Sequence, residues 1–256
     1  MRIHEFGREH EKTILLIDPA AARRNYFSGV IPLLAHRSHL LIPALPGYNE
    51  AAPKEDYTSV EEIAESLADW LLGQGLNEVD VGYGCAMGGS ILLAMLAKGR
   101  VHILTSVLDG GITPGTLPQP LGRLLAAGDA LRLLQARKGN TALLAKVVPP
   151  GVAELEKILR TLSGRTIWRT CISCRTYQLE GTLSEKPIHL QYWFGEAEER
   201  ERARDLRFVE ANVPGAKLLR MRGMGHAAMA AEHPEMMAAA LWQLAQRHRT
   251  KAPAAG

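Results

Sequence analysis

The chain is poor in cysteine and aromatic residues and has no long apolar run. Three cysteines, Cys85, Cys171 and Cys174, are too few and too odd in number for a disulfide framework in 256 residues, and they suit a reducing, cytoplasmic compartment. Aromatics make up 5% of the composition, too little for a base-stacking platform. Neither sign of charge dominates. The 30 basic residues are interleaved with 27 acidic ones, as in Glu198 to Arg207, so no nucleic acid partner is expected. The longest uncharged stretch, Val81 to Ala97, is interrupted by glycines and too short to span a bilayer, so no membrane partner is expected either. The opening MRIHEFGREHEK alternates charge with single apolar residues and lacks the continuous apolar segment of a signal peptide. What is present is an ordinary globular composition, 46% hydrophobic and 22% charged, at a length that suits one α/β domain with an insertion.

Periodicity places the elements. Arg2 to Glu5 and Thr13 to Ile17 read as strands and a possible hairpin, Tyr26 to Ala35 has helical spacing, and His39 to Ile42 is a further short apolar run. Thr58-Ser59-Val60-Glu61-Glu62 offers an N-cap and an acidic first turn for a helix reaching about Leu72. Strands follow at Val79 to Tyr83 and Val101 to Leu108, with a helix through Ile91 to Ala97 between them. The rhythm then breaks. Residues 113–184 carry scattered prolines between helical patterns (Leu121 to Gln135, Val152 to Leu162, Thr166 to Tyr177) and read as an inserted helical cap. Ile188 to Phe194 and Lys217 to Met221 resume the strands, with helices at Glu199 to Ala211 and His233 to Gln246, and the TKAPAAG tail reads as frayed. Strands separated by helices predict a mostly parallel sheet covered on both faces, in a single domain over 1–256.

The segment Val79 to Ile91 runs from a strand through small residues straight into a helix. A dinucleotide fingerprint would need glycine where Met87 stands, so the backbone could not approach a pyrophosphate, and no cofactor is expected. The other turn of this kind is a nucleophile elbow, in which the residues two before and two after the nucleophile must be tiny so that strand and helix can approach. Gly84 and Gly88 meet that demand, Gly89 follows, and they bracket Ala86. A nucleophile at Cys85 would put Tyr83 and Met87 at the small positions, so Cys85 reads as a packed thiol.

Gly84-Cys85-Ala86-Met87-Gly88-Gly89 resembles the Gly-x-Ser-Met-Gly-Gly elbow of the α/β-hydrolase superfamily, with alanine in place of serine. Leu45-Pro46-Gly47-Tyr48 resembles that family's Asp-x-Pro-Gly-x-Gly turn. Gly223-Met224-Gly225-His226 resembles its histidine loop, and His233-Pro234-Glu235 the opening of its last helix. The resemblance covers nearly the whole chain and implies a three-layer α/β/α sandwich with an inserted cap. It implies that Ala86 occupies the nucleophile position, that His226 is the base, and that Glu198, in Gly195-Glu196-Ala197-Glu198, is the acid. Glu196 and Glu199 compete for the acid role, and Asp109, at another strand end, is the alternative site. The oxyanion hole falls by resemblance to the backbone N–H of Met87 and one near Ala20 or Ala21. Where the family commonly has His-Gly, this chain has Asp18-Pro19; a carboxylate there would oppose a developing oxyanion, so Asp18 is expected to point away and cap a turn.

Cys171-Ile172-Ser173-Cys174 has no second cysteine pair, so zinc is not expected and packed thiols are the default reading; no metal is implied. Trp168, Tyr177 and Trp193 are candidates to line a pocket beneath the cap. Alanine has no nucleophilic atom, and loss of the serine from a comparable triad costs roughly a million-fold in kcat. Three functions stay open: an ester, thioester or amide hydrolase whose serine has been removed, a binding protein on the same fold, or a lyase or oxygenase in which His226 and Glu198 work as a general-base dyad. The expected partner is a small-molecule substrate or ligand; the sequence leaves its identity and the oligomeric state open.

Overall fold

The structure, a computed structural model, describes residues 1–19, 26–49, 51–52, 54–139 and 155–247. Seven strands form one sheet in the order β1-β3-β2-β4-β5-β6-β7. Strand β2 (Thr13–Ile17) is buried along its whole length and pairs in parallel with β3 (His39–Ala44) on one side and β4 (Glu78–Cys85) on the other. Strands β5 (His102–Asp109), β6 (Leu190–Gly195) and β7 (Lys217–Met221) extend the sheet, all parallel.

Strand β1 (Arg2–Phe6) departs from the expected hairpin. It pairs antiparallel with β3, Phe6 opposite Leu40, and lies at the sheet edge. The uninterrupted apolar TILLI of β2 needs a neighbour on both sides, whereas the alternating charges of RIHEF tolerate one open edge.

Side chains alternate across the sheet. Leu15 and Ile17 pack on one face with helices α2 (Val60–Gly73) and α3 (Met87–Lys98), while Ile14 and Leu16 pack on the other with α1 (Ile31–Leu34) and, near the C-terminus, α9 (Pro234–Arg247). Each of these fully buried aliphatics contributes about 1.5–3 kcal/mol. Helix α2 starts where the sequence predicts: the Ser59 hydroxyl accepts the Glu62 amide at 3.1 Å, with Glu61 and Glu62 against the helix dipole. Helix α1 is shorter than the spacing from Tyr26 suggests. Pro32 lacks an N–H and fits only the first turn, and the residues before it form hydrogen-bonded turns.

Between β5 and β6 the chain inserts α4 (Gln119–Arg137), α5 (Leu155–Thr161) and α6 (Gly164–Thr176). A row of hydroxyls on α6 fastens the insertion to the segment after β3. The Thr166 hydroxyl accepts the Tyr57 amide at 3.1 Å, the Ser173 hydroxyl accepts the Val60 amide at 2.7 Å, and Thr170 shares a 2.8 Å hydrogen bond with the Tyr48 hydroxyl. Ser163, one turn earlier, caps α6 by accepting the Thr166 amide. The sheet is completed by α7 (Glu199–Asn212) after β6 and by the short α8 (Ala228–Glu232), which the sequence did not announce.

Strand order reverses between β2 and β4, because the chain leaves β2 for β3 on one side and returns to β4 on the other. Loops that leave a parallel sheet in opposite directions open a crevice at the strands' C-terminal ends. Asp18, Ala86, Gly110 and the turn after β6 all lie along that rim.

Candidate active site

Ala86 occupies the turn between β4 and α3 at φ 48°, ψ −113°, a conformation alanine rarely adopts. The surrounding contacts account for it. The Ala86 amide donates to the Asp109 carbonyl at 2.9 Å, and the Ala86 carbonyl accepts from Gly89 at 3.0 Å and from Ile112 at 3.3 Å. A Cβ on Gly84 would stand 2.4 Å from the Gly88 carbonyl oxygen, and one on Gly88 would stand 2.3 Å from that of Ile17. Both are backbone collisions, so the small-residue pattern is a steric requirement of the crossing. Met87 opens α3, and its N–H is among the helix's first donors, which lack intrahelical acceptors. Ala20 and Ala21 lie outside the described residues.

Across the crevice, His226 Nδ1 stands 2.7 Å from Glu198 Oε2, both side chains nearly excluded from solvent. An ionised carboxylate only accepts, so Nδ1 carries the proton and Nε2 is left free to accept one. The other Glu198 oxygen, Oε1, accepts the Gly195 amide at 3.0 Å, and Arg202 Nε, one turn along α7, lies 3.6 Å from Oε2. Burial alone would raise the carboxyl, but the His226 hydrogen bond and charge, the Gly195 amide and Arg202 outweigh it and hold Glu198 below the usual range.

The competing acids lie elsewhere. Glu196 accepts the Gly223 amide and pairs with Arg220, and Glu199 also pairs with Arg220, away from the imidazole. Asp109 is buried and bonded to the Tyr83 hydroxyl at 2.5 Å, while the carboxylate bonded to His226 is Glu198. Burial, partly offset by Tyr83 and by nearby His226, pushes Asp109 up to about 6. Tyr26 continues this network. Its hydroxyl lies 3.3 Å from Cys85 Sγ and donates at 3.2 Å to the carbonyl of Ala227, the residue after His226.

The turn that Asp18 is expected to cap runs into residues 20–25, outside the described residues; its own backbone amide hydrogen-bonds its carboxyl. It keeps some solvent contact, yet protein surrounds it closely enough that burial pushes it up to about 8. At neutral pH it is a neutral acid and does not oppose negative charge nearby.

Of the three aromatic candidates for a pocket beneath the cap, Tyr177 lines a cleft against the insertion. Trp168 is exposed on α6, Tyr177 is buried with its hydroxyl donating to the Ile112 carbonyl, and Trp193 packs edge-on against Tyr83 beneath the sheet. Cys85 is a fully buried thiol whose pKa burial drives well up, as a packing role requires; burial likewise pushes Cys171 and Cys174 up to about 12. Among the described residues, no three His, Cys, Asp or Glu side chains converge as metal ligands. A 310 Å³ cleft between the insertion and α7, lined by Pro114, Arg175, Tyr177, Leu183, Phe208 and Asn212 among others, takes in Tyr177 and none of the candidate catalytic residues.

Two residues of the site escaped sequence reasoning. Gly110, at φ 56°, leaves room for the pair: a Cβ there would meet His226 Nδ1 at 2.8 Å and Glu198 Oε2 at 3.0 Å. Asp109-Gly110-Gly111 at a strand end was a legible signal for it. The i,i+4 spacing of Glu198 and Arg202 was a signal for the second.

Residues 18–240 match the model of the Alpha/beta hydrolase family. The chain belongs to that family. Solved structures agree in fold. An alpha/beta hydrolase family protein from Desulfitobacterium hafniense is 22% identical with a TM-score of 0.74, over 95% of this chain and 99% of its own. A thermophilic esterase from Thermogutta terrifontis is 16% identical with a TM-score of 0.71 over 96% and 93%. The esterase EaEST from Exiguobacterium antarcticum is 15% identical with a TM-score of 0.74 over 95% and 94%. No curated protein matches the chain. Within the alpha/beta hydrolase family, the elbow of this member presents a methyl group where a serine elbow presents a hydroxyl.

Proposed function

We propose that the chain carries an esterase-type site without its nucleophile: a pocket for a carboxylic ester, thioester or amide that binds its ligand and does not form an acyl-enzyme. The strained elbow geometry at Ala86 carries this reading. Alanine has no need of φ 48°, and an unstrained turn would be more stable, yet the glycines on either side keep strand and helix close enough to impose it.

The remaining parts have consistent roles. His226 Nε2 is the base and Glu198 fixes its tautomer. The Met87 amide is one oxyanion donor, and the described helices of the insertion, α4 to α6, serve as the cap. A hydroxyl restored at position 86 would lose its proton to His226 as its oxygen attacks the acyl carbon, and the proton would then pass to the leaving group.

The test is intact-mass labelling with a fluorophosphonate on the parent and on Ala86→Ser. The serine variant should gain one adduct and the parent none, and His226→Ala in the serine background should abolish labelling. A labelled parent, or an inert serine variant that is folded, overturns the reading. The intact 2.7 Å His226–Glu198 pair also favours a second reading, general-base catalysis on a substrate with an acidic proton, which requires no residue at 86. Turnover by the parent that His226→Ala abolishes and Ala86→Ser does not increase would select it.

A further inference from the structure

Helix α4 is apolar on both sides, with the sizes reversed from those of an ordinary surface helix. Its inner face is small, with Gly122, Ala126, Ala130 and Ala136 buried, and it lets α6 approach until a Cβ on Gly122 would stand 3.3 Å from the Thr176 methyl. Its large side chains point outward: Leu121, Leu124, Leu125 and Leu131 are exposed, Leu124 at 69% and Leu131 at 54%, with exposed Leu117 just before the helix. At 3.6 residues per turn these leucines share one face, opposite the buried alanines. Trp168 on neighbouring α6 is exposed as well. A contiguous outward aliphatic face of this kind is unusual on a monomer surface and marks a contact.

Charge says what kind of contact. Residues 113–184 hold ten basic and four acidic residues of the chain's 30 and 27, leaving 20 and 23 for the rest, so the insertion carries a net +6 on a body of −3. Asp129, the acid within α4, is buried beneath Arg132 and Arg175, which neutralise it. A second copy docked face to face would set basic helix on basic helix. The outer side of a single helix is also convex and offers no groove to a folded partner. Leucines on a convex face, within a strongly basic element, match the inner boundary of an anionic bilayer. The absence of a spanning helix among the described residues concerns crossing a membrane, which such a contact does not need.

We propose that the outward face of α4 seats the protein on an anionic lipid surface, with Leu121, Leu124, Leu125 and Leu131 entering the headgroup boundary and the net positive charge of the insertion drawing it to the lipid charges.

The test is co-sedimentation of the full chain with vesicles of phosphatidylcholine alone and of phosphatidylcholine with phosphatidylglycerol, at low and high salt. Binding should be at least about tenfold stronger to the anionic vesicles and weaken with salt. Leu124→Asp/Leu125→Asp should remove it without changing the melting temperature. Absence of binding, or equal binding to both vesicle types, overturns the proposal. So does a dimer in light scattering that the aspartates dissolve, which would make a second copy the occupant. A melting temperature lowered by the aspartates overturns it too, because the leucines would then be covered from within the chain. None of these readings involves position 86, so the proposal stands or fails apart from the chemistry of the crevice.

Discussion

The two sides of the crevice are built alike and equipped differently. Each holds an alanine at positive φ, Ala86 at φ 48° in the elbow and Ala227 at φ 60° beside His226, and among the described residues these are the two non-glycine positions of that kind. Tyr26 spans the interval, with its hydroxyl between Cys85 and the Ala227 carbonyl. The histidine side retains a reactive group with its hydrogen-bonded, buried carboxylate; the elbow side retains only the shape that would present one. The difference teaches that the elbow's conformation is set by strand-to-helix packing through Gly84 and Gly88. It does not depend on the side chain it displays.

Restoring a hydroxyl to the elbow gives the largest expected effect. Ala86→Ser should raise fluorophosphonate reactivity by orders of magnitude, up to roughly a million-fold if the geometry is fully competent. Next, Glu198→Gln in that serine background tests the histidine side: an amide cannot stabilise the imidazolium, and the labelling rate should fall about 10³–10⁴-fold. A fall under about threefold would mean that the carboxylate has no part in activating His226.

Asp18 probes the elbow side through pH. The folded carboxyl holds its proton up to about 8, whereas the unfolded chain releases it near the ordinary value of 3.8. The native state therefore binds more protons across that window, and stability contributed by this group falls as pH rises from about 4 to about 8, then levels. Asp18→Asn should flatten the slope and gain roughly 1–3 kcal/mol at pH 8 relative to pH 5, a figure reduced from the full conversion because the group retains solvent contact. Urea midpoints at the two pH values check it; an unchanged slope would place the titration elsewhere. The smallest effect compares the two alanines directly. Glycine at either position relieves positive-φ strain, and the gain should be about 1–2 kcal/mol at Ala86, whose ψ of −113° is the more unusual, and about 1 kcal/mol or less at Ala227. Calorimetry on both variants would reverse the packing argument if glycine at 86 destabilised.

Much of this arrangement is legible in the chain because its signals are local. The all-apolar TILLI implies a strand with two neighbours, Ser59 with Glu62 marks the start of α2, and Gly84 with Gly88 demands a tight crossing. The approach of Glu198 to His226 is readable from chain order within the fold. What escaped depends on partners distant in sequence. The neighbour of β1 is β3 because edge and centre differ in charge tolerance, which no window around Arg2–Phe6 reveals. Asp109 is engaged by Tyr83 on the adjacent strand, so a carboxyl at a suitable strand end is occupied by a neighbour that its own segment does not show. The reversed faces of α4 have the same cause: alternating small and large apolar residues look amphipathic to neither side until α6 claims the small ones.

The hydroxyl row on α6 bears on how such a protein can be altered. Because Thr166 and Ser173 satisfy the amides of Tyr57 and Val60, the insertion supplies hydrogen bonds that the body lacks by itself. Grafting the corresponding segment of another family member onto this body would leave two buried amides unpaired, at about 1–3 kcal/mol each, unless residues 48–60 were exchanged with it. The transplantable unit is the insertion together with that loop, two stretches separated in sequence that must be inherited or engineered as a pair.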